Sequence, residues 1–271
     1  IRSRHDVRER HQRRRFIRWL TGKASVQELA AACRRTRQTV SKRFAPYFRT
    51  QATWRPPESI RILILDGTFI HRRALMVLIA RTGEGVVYWQ FAPYESADTW
   101  GTLMQRLPHP LAVVCDGQKG LLKQIKASWP ATALQRCHFH ISKLARRHLT
   151  MHPKTEAGRE IKTLLHALPK VRTLRGAQAW RTAYEHWEER YESFLAERTH
   201  YRDGVRARWW YTHRNLRGVR SLVRGALPYL FTYLRVPGVP NTTNHVEGGI
   251  NAAIAEALRL HRGLRLHQKK T

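Results

Sequence analysis

Asp66, Asp116 and Glu247 are the side chains best spaced to do chemistry. Ile62-Leu63-Ile64-Leu65 runs into Asp66-Gly67, and Leu111-Ala112-Val113-Val114-Cys115 runs into Asp116-Gly117. Apolar runs of that length predict strands buried on both faces. Each aspartate is then expected at a strand's C-terminal end, on the rim of a sheet, where ligands bind. The glycine after it admits close approach of backbone or substrate. Glu247 lies far downstream in Asn244-His245-Val246-Glu247-Gly248, where Asn244 would cap a new helix with Glu247 at its third position. Singly, each acid has a plainer reading: a strand-end Asp-Gly turn, or a capping pair. Together on one rim they would hold two divalent cations for phosphodiester chemistry.

Composition points the same way. The chain has 271 residues, a formal charge of +31 and a pI near 11.4. Such charge suits a polyanion partner, because neutralising phosphates releases condensed counterions. An abundance of arginine favours bidentate phosphate and base-edge contacts. Nine tryptophans and ordinary aliphatic content exclude a disordered basic tail, and sit poorly with a basic ribonucleoprotein component. Three cysteines are too few for a disulfide framework, so a reducing compartment is expected. No apolar run approaches a membrane span and no signal peptide is visible, which predicts a cytoplasmic, nucleoid-associated protein without membrane contact. The first residue is Ile1 rather than Met, leaving room for an upstream segment.

Residues 1–50 read as a helix-turn-helix module. Ser25 and Glu28 form a capping box for a first short helix, and Thr36 caps a second, with Val40 and Phe44 facing inward. Arg37, Gln38, Lys42 and Arg43 on that second helix are the expected duplex contacts. Residues 51–59, with Trp54-Arg55-Pro56-Pro57, read as a linker. Strands are expected at 60–69, 74–81, 86–94, 111–116 and 133–137, with helices at 97–107, 119–129 and from Ile141. The order β-β-β-α-β-α-β resembles the ribonuclease-H-like fold, whose first acid lies on the first strand and second on the fourth. The expected class is therefore α/β: a ribonuclease-H-like mixed sheet with helices, formed by residues 60–149 and 241–271.

Residues 150–240 read as an all-helical insertion. Trp180, Tyr184, Trp187, Tyr191 and Leu195 recur at spacings of three and four, an apolar stripe that predicts core. Glu185, Glu188, Glu189 and Glu192 read as a solvated face paired with arginine. Arg208-Trp209-Trp210 suits base stacking and phosphate clamping, although core packing weighs slightly more for each tryptophan. Lys119, one turn from Asp116, is a candidate scissile-strand contact against the duller reading of surface charge. Cys137 and His140 form a Cys-x-x-His pair. With His148 and His152 they offer zinc-type ligands, but the spacing is shorter than in the usual fingers, so zinc is not expected. Bracing of a strand-to-helix turn is preferred, with His140 near the carboxylates and Asn244 likewise structural.

The pieces Leu65-Asp66-Gly67-Thr68, Cys115-Asp116-Gly117 with Lys119-Gly120-Leu121, Cys137-His138-Phe139-His140 and Asn244-His245-Val246-Glu247-Gly248 resemble the Mutator-like class of DDE transposases of bacterial insertion sequences. The resemblance implies that Asp66, Asp116 and Glu247 bind two magnesium ions (manganese serving as a substitute), one activating the nucleophile and one stabilising the leaving oxygen. It implies hydrolysis at transposon ends followed by attack of the freed 3′-hydroxyl on target DNA, without a protein nucleophile. A homodimer or higher oligomer is expected, since two ends must meet one target. An insertion-domain tryptophan near the cleavage point is also implied, for which Trp209 and Trp210 are candidates. The rivals are a structure-specific endonuclease of the same fold, which needs no strand transfer, and a non-catalytic DNA-binding regulator derived from a transposase.

Overall fold

A computed structural model describes residues 4–49, 57–71, 75–203, 206–243 and 246–269. The N-terminal module packs α1 (Arg4–Leu20), α2 (Val26–Ala32) and α3 (Arg37–Phe44) around Leu29, Ala30, Val40 and Phe44. Both expected caps form: Ser25 and Glu28 bond reciprocally, and Thr36 Oγ1 accepts from the Thr39 N–H. No glycine stands in the turn between α2 and α3. Arg34 takes φ +53° between the two helices, a left-handed conformation that costs about 1 kcal/mol for a residue with a Cβ.

Five strands, β1 (Ile62–His71), β2 (Leu75–Arg81), β3 (Val86–Ala92), β4 (Ala112–Cys115) and β5 (Ala133–Arg136), form one mixed sheet in the order β3-β2-β1-β4-β5. β1, β2 and β3 pair antiparallel, whereas β1, β4 and β5 pair in parallel. Helices α4 (Ala97–Met104) and α5 (Lys119–Ser128) cover one face through Trp100, Leu103, Leu121 and Ile125, against Leu63, Leu65 and Val113. The other face, with Ile64 and Val114, meets Val239 and Ile250 of the returning chain. Because alternate residues face opposite sides, Leu63 and Leu65 point to one layer, Ile64 and Asp66 to the other. α11 (Ala252–Leu260) follows on that second side, and His261 at its end donates from Nε2 to Leu20 O at 3.0 Å.

Between the last sheet strand and the return, α6 (His138–Leu149), α7 (Glu156–Ala167), α8 (Leu174–Arg190), α9 (Glu192–Ala196) and α10 (Arg214–Ala226) build a second large core. The α8 stripe is buried as expected, with Trp187 Nε1 donating to Ala157 O at 3.0 Å. Glu188 pairs with Arg224 at 2.7 Å, as read from the charge pattern. The insertion is not all helical, however. β6 (Arg198–Asp203) and β7 (Arg206–Tyr211) form an antiparallel ribbon, and Trp209 and Trp210 lie on β7. The β-favouring aromatics Tyr201, Trp209, Trp210 and Tyr211 in two short runs after the helix end overrode the helical expectation. Among the described residues, no helix is long and apolar enough to cross a membrane.

Candidate active site

β1 and β4 pair with Leu65 opposite Cys115. The next residues are Asp66 and Asp116, so the register sets the two acids on neighbouring chains, about 5 Å apart at the backbone. Asp66 lies within its strand rather than at its end, because β1 continues to His71 against β2 while β4 stops at Cys115. The shorter neighbour, not the strand's own terminus, makes the rim. Asp66 is 5% exposed, and its Oδ2 accepts a 2.7 Å hydrogen bond from Asn251 Nδ2.

Asp116 is half-buried, and its Oδ1 accepts from the Gln118 N–H at 2.9 Å. The turn passes through Gly117 at φ +84°, where a Cβ would overlap the Arg136 guanidinium. Only glycine fits both demands. Arg136 is itself buried, 4% exposed; desolvation lowers its pKa, opposed by the nearby Cys115, Asp116 and Cys137. Gln118 caps α5 by accepting from the Leu121 N–H at 2.7 Å, which fixes the aspartate turn to a helix start. Lys119 is exposed on that first turn.

The third acid is placed by its backbone. Glu247 falls in a π-helical stretch, Val246–Asn251, that leads into α11; its side chain lies outside the described residues, as do Asn244 and His245 altogether. The expected capping by Asn244 therefore falls outside them too, and the described helix opens as a π-turn rather than a regular first turn. Such turns are rare and concentrate at functional sites. Asn251, the last residue of that π-helical stretch, is the residue that holds Asp66.

The near end of this segment is held by the Cys-x-x-His pair. The Thr243 N–H donates to Cys137 Sγ at 3.2 Å, and Thr243 Oγ1 lies 3.2 Å from that sulfur and 3.4 Å from His140 Nδ1. The His138 N–H donates to Asn241 O at 2.9 Å. His138, for which the sequence suggests no role, is buried with Nε2 2.6 Å from Leu230 O, and burial lowers its pKa to about 4. Burial raises the pKa of the Cys137 thiol, but hydrogen bonds from His140 and Thr243 outweigh it and the net shift is downward. Burial likewise opposes charge on His140, yet Cys137, Asp116 and Asp66 outweigh it and the pKa rises. His140 thus feels both aspartates. His148 and His152 are exposed, and His148 lies toward the far end of α6, roughly 16 Å along the axis from Cys137 by helical rise. The four cannot ligate one zinc ion.

Glu95 is a carboxylate that the sequence reading missed. It precedes the Ser96 cap of α4 on the connection from β3, which opens on the same rim as β1 and β4. Its Oε1 accepts from Trp100 Nε1 at 3.0 Å, and its carbonyl from Gln118 Nε2 at 3.4 Å. Burial first, then the charge of Asp116, raises its pKa to about 7; the Trp100 bond opposes, Asp66 adds, and His140 opposes. Its position at the end of a strand-to-helix connection was the available signal.

The donor set fits a hard divalent cation: the acids supply carboxylate oxygens, and acids gathered in a chain this basic call for a counter-charge. Asn251 Oδ1 is buried without a hydrogen-bond partner beside Asp66, a polar atom that a hydrated cation would satisfy. Among the described residues, no three His, Cys, Asp or Glu side chains close on one point as a preformed ion site.

The expected DNA contacts lie elsewhere. Arg37, Gln38 and Lys42 are exposed on α3, and Arg43 is half-buried. Trp209 and Trp210 are 49% and 44% exposed, which overturns core packing for both, and Arg208 is exposed beside them. Arg198 stacks on Trp209 with Cζ 4.2 Å from the ring centre, and Arg217 on Tyr211 at 3.4 Å. The ribbon therefore displays aromatic faces already partnered by guanidinium groups.

The parallel register of β1 and β4 thus sets two aspartates side by side on the rim of a mixed sheet. The model of the Mutator family of transposases matches residues 59–212, more than half of the chain, and the chain belongs to that family. The transposase for insertion sequence element IS905 of Lactococcus lactis subsp. lactis (strain IL1403) is 32% identical over 97 residues, covering 30% of this chain and 25% of that protein. A probable transposase for an insertion sequence element of Corynebacterium diphtheriae is 26% identical over 118 residues, covering 39% and 34%. The matched stretches thus span a quarter to a third of those relatives' own lengths. The family match includes Asp66, Asp116, Cys137 and His140 and ends before Glu247.

Proposed function

We propose that this chain is the catalytic part of a DDE transposase, with a ribonuclease-H-like core carrying Asp66, Asp116 and Glu247. The observation that carries the reading is the parallel register of Leu65 and Cys115, which sets Asp66 beside Asp116, together with Asn251 reaching Asp66 from four residues past Glu247. The strand order β3-β2-β1-β4-β5, three antiparallel and two parallel, supports the ribonuclease-H-like assignment.

Asp66, Asp116 and Glu247 would hold magnesium or manganese. When bound, the cations activate the attacking oxygen and stabilise the leaving one. Asn251 orients Asp66, Gln118 orients Asp116, and Cys137 with His140 holds the approach to Glu247 through Thr243. Water attacks the phosphodiester at a transposon end, and the freed 3′-hydroxyl then attacks target DNA in line. The N-terminal module acts as a helix-turn-helix on duplex DNA through Arg37, Gln38, Lys42 and Arg43. Trp209 and Trp210, with Arg208, stack an unpaired base near the cut, and Lys119 contacts the scissile strand. Two or more copies act together on cytoplasmic DNA.

The test uses labelled duplex carrying the element's flanking sequences, with magnesium or with chelator. Magnesium-dependent nicking plus joined products supports the transposase. Nicking without joining would instead support a structure-specific endonuclease, and binding with neither reaction a regulator. Arg37→Ala or Lys42→Ala should each reduce the salt slope of duplex binding by about 1. An unchanged slope would move the duplex contact away from α3.

A further inference from the structure

We infer that His261 is a positioning residue: it locks the N-terminal module to α11 and so fixes where, along DNA held by that module, the acids cut. The inference rests on the transposase reading above and adds to it the contact that registers recognition against cleavage.

The lock begins at the end of α1. Gly22, at φ +68°, closes that helix: its N–H donates to Trp19 O, and the Lys23 N–H donates to Arg18 O. This is a Schellman closure, and it leaves the Leu20 carbonyl to find a donor elsewhere. His261 Nε2 supplies the donor from the far end of α11, at 3.0 Å. Two neighbours hold the same spot. The centre of the His261 ring lies 4.2 Å from that of Trp19, and a Cβ built on Gly22 would come within 2.5 Å of Leu260 Cδ1. Glycine is thus required twice at position 22, by its left-handed backbone and by a leucine from a distant element.

The contact continues in both directions. On the module side, Trp19 packs on Phe44, the last residue of α3, with ring centres 5.4 Å apart. On the core side, the nine residues of α11 run back to Asn251, whose side chain holds Asp66 at 2.7 Å. A helix of that length is a stiff rod of about 14 Å. An unbroken path of contacts therefore joins the helix proposed to read duplex DNA to an acid proposed to cut it. Beside the lock, the seam opens into an apolar cleft. Phe16, Tyr47 and Phe48 of the module line one wall, and Ile70, Trp89 and Ile254 line the other. Close packing does not hold the module there, so the contacts at Trp19, Leu20 and Gly22 carry the alignment.

The full chain is given magnesium and an end-labelled duplex carrying the element's flanking sequence, and the cut positions are mapped to the base. His261→Ala should spread cutting to neighbouring bonds, the preference for the main bond falling about fivefold, as for loss of one hydrogen bond. Duplex binding in chelator should stay level. His261→Gln, whose side-chain amide also donates, should restore the single position. A merely structural residue would change rate or stability without moving the cut. Cutting by His261→Ala at the wild-type bond alone would overturn the inference and leave the transposase reading standing. Wild-type cutting with no preferred bond would overturn it as well. No cutting by the wild-type chain would remove the transposase reading itself, and the inference with it. Should His261→Ala fail to fold, Leu260→Ala takes its place, and sharp wild-type cutting in that variant would equally overturn the inference.

Discussion

The sheet rim and the insertion's β-ribbon differ in every physical respect. The rim gathers acids in a basic chain, buries Asp66 and keeps Asp116 and Glu95 half-covered. The ribbon presents Tyr201, Trp209 and Trp210 to solvent with arginines stacked on its aromatic faces. Rim geometry comes from long-range pairing: Leu65 with Cys115, and Asn251 with Asp66 across the length of the chain. Ribbon geometry is local, one strand against the next. A centre that must fix charge to fractions of an ångström is built on rigid strands and a tethered helix. A surface that must meet a long, variable polyanion is built from exposed rings and cations.

The largest effect should separate the two regions completely. Asp116→Asn should lower cleavage by roughly a hundredfold to a thousandfold or more, while duplex binding in chelator stays level or tightens as repulsion with phosphate falls. Equal loss of binding and cleavage would mean that the acid is structural. Within the insertion, the contrast is between two sets of tryptophans. Trp187→Ala in the buried stripe should cost about 3–5 kcal/mol of stability, read by denaturant unfolding. Trp209→Ala should leave unfolding unchanged and weaken binding to DNA with an unpaired base by about 1–3 kcal/mol. Similar stability losses for both would erase the distinction between core and contact.

The next effect lies at the seam where the rim meets the insertion. His138 is held neutral by burial, with its pKa lowered to about 4. The unfolded chain, titrating near 6.5, binds the extra proton first as pH falls, so stability is full above about 6.5 and declines toward 4. The loss across that window should be about 3 kcal/mol. His138→Gln should flatten that slope in thermal melts at a series of pH values. An unflattened slope would assign the acid sensitivity to other groups.

The legible parts of this molecule were those with a short period or a local chemistry. The apolar runs before Asp66 and Asp116 showed two buried strands, and the caps at Ser25 and Thr36 showed two helix starts. The α8 stripe announced a core because its spacing of three and four matches a helical face. The ribbon was hidden because Arg198–Tyr211 is too short and too charged to show a clean alternation, and its aromatics are exposed on both faces. The expected strand at 60–69 already held Asp66 in its interior, but the sequence cannot say that the neighbouring strand stops first and so makes the rim there. Glu95, Thr243 and Asn251 join the site only through tertiary contacts: each is an ordinary polar residue until the sheet, the Cys137–His140 pair and the π-helical turn bring them together. The sequence suggests no role for His138, and only its burial against Leu230 shows it to be structural.

The central claim is that Asp66, Asp116 and Glu247 serve one metal centre. Ferrous iron substituted at the site, with ascorbate and peroxide, cuts the backbone wherever it is bound. Cuts clustered near residues 66, 116 and 247, suppressed together by excess magnesium and absent in Asp66→Asn, are the predicted result. Cuts near the two aspartates with none near 247, or scattered cuts that magnesium does not suppress, would contradict it.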